Sequence, residues 1–147
     1  MLLGSHLAGL AFSNAGVTAA HALAYPLGAR YHIPHGVSVL LFLPAVLEFN
    51  AIGSEERFRE LSSLCTGRSP DQCEPTDVIG EIDRLCAELN LPENLATVGV
   101  EKALIPEFAQ AALGVQRILR NNPREISTIE HTRPLYERAY SYERSSK

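Results

Sequence analysis

The sequence has no tryptophan, one methionine and only three cysteines. Cys65, Cys73 and Cys86 are odd in number, and their spacing fits neither a zinc knuckle nor a redox pair, which excludes the disulfide framework of a small secreted domain. They read as reduced, partly buried thiols of a cytoplasmic protein. Positive charge is also scarce: 13 Lys and Arg stand against 17 Asp and Glu, for a net charge of -4, and the arginines are scattered among acids. Without a basic stripe to neutralise a run of phosphates, nucleic acid is excluded as a partner.

Charge of either sign is nearly missing from the first third, where residues 1–50 contain only Arg30 and Glu48. Such a segment is expected to lie in the interior. Residues 1–29 have no charged side chain, and roughly 20 apolar residues suffice to span a bilayer. Ser5, His6, Ser13, Asn14, Thr18 and His21 interrupt that stretch too often for contact with hydrocarbon, and no basic residue precedes it as in a signal peptide. No membrane partner is expected.

What is present is a chain of 147 residues, 46% hydrophobic, long enough for a single domain with a sizeable core. Apolar residues recur three or four apart and almost nowhere alternate, so the fold class is all-α, a bundle of about seven helices. A first, buried helix is predicted over 2–12 and a second over 17–27, ended by Gly28. Pro34 suits the first turn of a third, with His35 at its start and Pro44 as a kink.

Ser54, followed by Glu55 and Glu56, caps a fourth helix with the stripe Phe58, Leu61, Leu64 and Cys65. Thr76 caps a fifth, with Val78, Ile82, Leu85, Cys86 and Leu89 inward. A sixth, over 101–113, turns Ile105, Phe108, Ala109 and Ala112 inward, and a short seventh element covers 115–120. Ser127 and Glu130 are spaced as a capping box for a last helix, and residues 143–147 read as a solvated tail.

His6, His21, His32 and His35 lie in the nearly uncharged first third, where a buried imidazole needs a partner. Taken singly, each reads as a hydrogen-bonded core histidine. His21 and His35 form the pair of interest, because a helix–turn–helix would bring their rings together. His32 and His35 rank lower, since Pro34 breaks continuous helix between them. A catalytic metal needs at least three protein ligands and an open position, and no acid lies among residues 1–47 to add one.

The segments Asn14-Ala15-Gly16-Val17, His21-Ala22-Leu23-Ala24-Tyr25-Pro26-Leu27-Gly28, Pro34-His35-Gly36, Leu43-Pro44-Ala45-Val46 and Phe49-Asn50 together resemble the signature of the iron-containing alcohol dehydrogenases. The resemblance extends to the helix after Ser54, to Ile105-Pro106 and to Asn121-Asn122-Pro123-Arg124-Glu125, and so covers essentially the whole chain. It implies the family's C-terminal helical domain, which packs against an N-terminal α/β domain holding the nicotinamide, with the metal in the cleft between. The family's ligands are an aspartate and three histidines. The last two match His21 and His35, while the first two belong to a segment preceding Met1. Met1 matches an internal position, which implies a truncated gene, a misassigned start or a fragment.

Where many members have a further histidine beside the nicotinamide, this chain has Tyr25. It reads equally as a core aromatic one turn after His21 and as a cleft residue contacting cofactor or substrate. The implied cofactors are a divalent metal, Fe(II) with Zn(II) as the other candidate, and NAD or NADP once the missing domain is supplied. The implied partner is a small alcohol or carbonyl substrate. The other reading is a non-catalytic helical remnant or interaction module that forms homo-oligomers through its apolar surface. Marginal stability or self-association is expected, because residues 1–50 are too apolar to be left wet. Arg124 and Glu125 are expected to form a structural ion pair.

Overall fold

The computed structural model describes residues 1–144. Among them lie eight α-helices: α1 (Leu2–Ala15), α2 (Ala19–Tyr31), α3 (His35–Ala51), α4 (Glu55–Thr66), α5 (Asp77–Glu88), α6 (Ile105–Leu113), α7 (Gln116–Leu119) and α8 (Ile129–Tyr140). Short 3-10 turns at Pro70–Gln72 and Lys102–Leu104 complete the regular structure, and no strand occurs among the described residues. The all-α reading therefore holds.

The main core is built from α2, α3, α6, α7 and α8. Four alanines of α2 (Ala19, Ala20, Ala22 and Ala24) are buried, which lets α3 and α6 approach its backbone closely. Against them pack Leu23, Leu27, Phe42, Phe108, Leu119 and Tyr136. Tyr136 is fully buried and sits edge-on to Phe42, with ring centroids 4.8 Å apart. Its hydroxyl donates to the Leu23 carbonyl at 2.5 Å, in the stretch of α2 where Pro26 lacks a backbone donor. Ile105, Phe108, Ala109 and Ala112 face this core as the periodicity predicts.

A second, smaller cluster holds α5: Val78, Ile79 and Tyr142, with Leu47 and Ile82 against them. Tyr142 donates to buried Asp83 at 2.8 Å, and the Arg138 guanidinium lies 4.6 Å above its ring while gripping Glu48 at 2.7 and 2.8 Å. Helices α4 and α5 pack chiefly on each other, so this cluster is their main attachment to the bundle.

Several expectations are overturned. No residue of α1 is buried: Leu2 is 91% exposed, Leu3 71%, Leu7 56% and Phe12 56%. The helix carries no charged side chain, the composition of a buried helix, but it bends by 101° from α2 and nothing in the described chain covers it. The angle is set at Gly16, whose φ of 75° and ψ of -168° lie in a region open essentially to glycine alone. Among the described residues no single helix is long and apolar enough to cross a membrane, and α1 with α2, bent by 101° at their junction, is the one pair there whose combined length and composition would suffice.

Gly28 does not end α2, which continues to Tyr31 and stops where His32 turns left-handed at φ 53°. The stripes of the peripheral helices are rotated from the predicted ones. In α4 the buried residue is Ser62, whose hydroxyl accepts the Val78 N–H, while Leu61 and Leu64 face water. In α5 the buried set is Val78, Ile79, Asp83 and Cys86, with Leu85 and Leu89 exposed. Neither Ser54 nor Thr76 makes a side-chain cap bond, and the capping box of α8 is replaced by His131, whose Nδ1 accepts the Ser127 N–H at 3.2 Å. Arg124 forms no ion pair with Glu125. It lies 4.0 Å above the Phe49 ring and donates to the Phe49 carbonyl. Of the expected tail, residues 145–147 fall outside the described residues, whereas Arg144 is bonded to Glu93 and to the carbonyls of Leu91 and Pro92.

Candidate metal centre

His21 sits in the first turn of α2 and His35 is the first residue of α3. Ten residues separate His21 from Tyr31, which is about 15 Å of helix. The three-residue connector 32–34 leaves four Cα steps from Tyr31 to His35, a reach of at most about 14 Å. His32, left-handed at φ 53°, ends α2 and turns the chain toward α3, and the two rings meet across that turn. The His21 and His35 ring centroids lie 5.3 Å apart, tilted by 57°. Tyr25, one turn after His21, stacks on His35, with ring centroids 6.4 Å apart at 29°.

This cluster lies at the surface. His21 is half-buried, His35 exposed and Tyr25 44% exposed. Tyr25 is therefore not a core aromatic, and no hydrogen bond of its hydroxyl occurs among the described contacts. His32 caps α2, and His6 lies on exposed α1, so neither joins the pair. Among the described residues no three His, Cys, Asp or Glu side chains gather as a ligand set.

Burial, and then the neighbouring His35 imidazolium, lower the pKa of His21 below its ordinary 6.5. Both effects favour the neutral ring, the form that can offer a lone pair to a metal. Because the unfolded chain binds a proton at His21 more tightly than the native chain does, stability falls as pH drops from 6.5 through the native midpoint. NMR titration should place the His21 midpoint below 6.5 and move it upward in His35→Ala. A midpoint that ignores His35 would mean that the rings do not meet in solution.

The donor set fits half of a metal site. Two neutral imidazoles suit Fe(II) or Zn(II), and a catalytic shell asks for one or two further protein ligands. The ring pair lies at the surface, where groups from another part of a protein can reach it.

Sequence reasoning missed what braces this arrangement. Asn50 and Asn122 exchange side-chain amide hydrogen bonds at 3.1 and 2.6 Å in the interior, and the Asn122 oxygen also faces the Ala19 N–H at 3.4 Å. The only sequence signal was the presence of Phe49-Asn50 and Asn121-Asn122 among the segments that resemble the family.

Residues 1–140 match the Fe-containing alcohol dehydrogenase family, C-terminal. The chain is 42% identical over 128 residues to the probable alcohol dehydrogenase EutG of Escherichia coli (strain K12), covering 86% of this chain and 31% of that protein. It is 36% identical over 144 residues to lactaldehyde reductase of the same strain, covering 95% and 37%. Among solved structures, a 1,3-propanediol oxidoreductase superposes with a TM-score of 0.81 at 31% identity, over 91% of this chain and 35% of that one. The alcohol dehydrogenase from Oenococcus oeni gives 0.81 at 32% identity, with the same coverage. The chain spans about a third of the length of these relatives. It belongs to the iron-containing alcohol dehydrogenase family, as that family's C-terminal helical domain.

Proposed function

We propose that this chain is the metal-holding helical part of a divalent-metal-dependent, NAD(P)-linked alcohol or hydroxyacid dehydrogenase, in which His21 and His35 supply two of the metal's ligands. The observation that carries the reading is the meeting of these two rings, 5.3 Å apart, at the surface beside Tyr25. A bound divalent ion supplies Lewis-acid chemistry to an alcohol or carbonyl oxygen, and a nicotinamide supplies the hydride acceptor.

The chain's own residues have three tasks. His21 and His35 hold the ion through neutral ring nitrogens. Tyr25 flanks the ring pair and presents its hydroxyl to substrate or cofactor. Helix α1 offers an uncharged apolar face for docking the part that brings the remaining ligands and the nicotinamide. Among the described residues no further ligands close the site, so these helices alone are inactive.

Calorimetric titration with Zn(II) or Fe(II) tests the reading. Wild type should bind weakly with one-to-one stoichiometry, and both His21→Ala and His35→Ala should abolish the heat. Binding that survives in both variants would sink it.

A second reading, a helical module that self-associates, draws support from the uncovered apolar side chains of α1. Light scattering on wild type and on a Leu3→Lys, Leu7→Lys, Phe12→Lys variant separates the outcomes. Association should disappear in the variant, and a wild type that is monomeric at all concentrations would remove this reading.

A further inference from the structure

The segment Asn121-Asn122-Pro123-Arg124 lies far from the imidazole pair in sequence and is unused by the function proposed above. Its contacts are nevertheless concentrated on the two helices that carry the pair. Asn121 donates to the Val17 carbonyl at 3.4 Å, just before α2. The Asn122 oxygen faces the N–H of Ala19, the first residue of α2 and two residues before His21. The same oxygen accepts from Asn50 near the end of α3, while the Asn122 amide donates to Asn50 at 2.6 Å and to the Arg124 carbonyl at 2.7 Å. Arg124 closes the turn by donating to the Phe49 carbonyl.

Thr18 precedes α2 in extended conformation but makes no side-chain cap bond. The first N–H groups of a helix need acceptors, and a buried one left without any is costly. Asn122 provides that acceptor from 103 residues away. Both Asn50 and Asn122 are buried, and no buried side-chain polar atom lacks a partner among the described residues, so the amide pair has one satisfied arrangement. A unique polar arrangement that ties the start of α2 to the end of α3 fixes the rotation of one helix against the other. That rotation decides where His21 points relative to His35.

We propose that Asn122, in its amide pair with Asn50, is a positioning residue that sets the His21 ring against His35. The consequence for metal affinity rests on the function proposed above; the geometric claim does not. Groups that orient ligands from behind typically change metal affinity by about 10- to 100-fold when removed.

The test compares wild type with Asn122→Ala, Asn122→Asp and, as a control for loss of stability alone, Thr132→Ala, which removes a buried hydrogen bond to the Ala109 carbonyl. Two quantities are read on the full chain: the ring-to-ring NOE between His21 and His35, and Zn(II) affinity. Asn122→Ala should lose the NOE and weaken Zn(II) binding about tenfold, while Thr132→Ala keeps both. Asn122→Asp keeps an acceptor for Ala19 but loses the donor to Asn50 and to the Arg124 carbonyl, so it breaks the amide pair and should also lose the NOE. It decides the matter if Asn122→Ala does not fold. An intact NOE in folded Asn122→Ala or in folded Asn122→Asp would overturn the proposal. Absence of Zn(II) binding in wild type would count against the metal reading and leave the NOE to judge the positioning.

Discussion

Replacing Tyr136 by alanine should destabilise the whole bundle more than truncating any other core side chain. The ring is fully buried among Phe42, Phe108 and the alanine-rich face of α2, so truncation removes a large apolar side chain and leaves a cavity. Such changes cost about 3–5 kcal/mol, a large part of the roughly 5–15 kcal/mol that typically holds a domain together. At about 2–4 °C per kcal/mol for a chain of this size, the melting temperature should fall by roughly 6–20 °C. Tyr136→Phe keeps the packing and loses only the bond to the Leu23 carbonyl, so it should cost about 0.5–1.5 kcal/mol. The difference between the two variants isolates packing from hydrogen bonding. A melting temperature within about 2 °C of wild type in Tyr136→Ala would show that this ring is not the centre of the core.

The second large effect is local. Tyr142 anchors the small cluster through which α5 meets the bundle, and it also partners Asp83 and lies under Arg138. Tyr142→Ala deletes the apolar contact with Val78 and Ile79 and the hydroxyl facing Asp83 together. The loss, about 3–5 kcal/mol by analogy with other large-to-small changes, falls on the attachment of α4 and α5 rather than on the main core. Hydrogen exchange should therefore accelerate across residues 55–88 while α2, α3, α6 and α8 keep their protection. Uniform acceleration along the chain would mean that both clusters open as one unit.

How much was legible in the sequence follows from where each helix sits. The inward face of α6 was readable because Ile105, Phe108, Ala109 and Ala112 fall on one face and every one meets the core. In α5 the same logic chooses Leu85 and Leu89, which are exposed. The buried position instead belongs to Asp83, a carboxylate whose partner, Tyr142, lies 59 residues away. Helix α1 reads as interior because it carries no charged residue, yet nothing in the described chain covers it. Helix–turn–helix placement singles out the imidazole pair, and family resemblance alone adds that it holds a metal. Spacing alone does not say that the chain turns left-handed at His32. The amide pair of Asn50 and Asn122 could not be read at all, since it joins residues 72 apart through groups that sequence reasoning assigns to surface turns.

That His21 and His35 act together as the metal ligands of this domain is tested most directly by an NMR titration with paramagnetic Co(II), following the ring protons of all five histidines. The His21 and His35 signals should shift or broaden together at the lowest metal concentrations, while those of His6, His32 and His131 lag behind. Responses led by His6, His32 or His131, or a response of His21 without His35, would contradict a shared site.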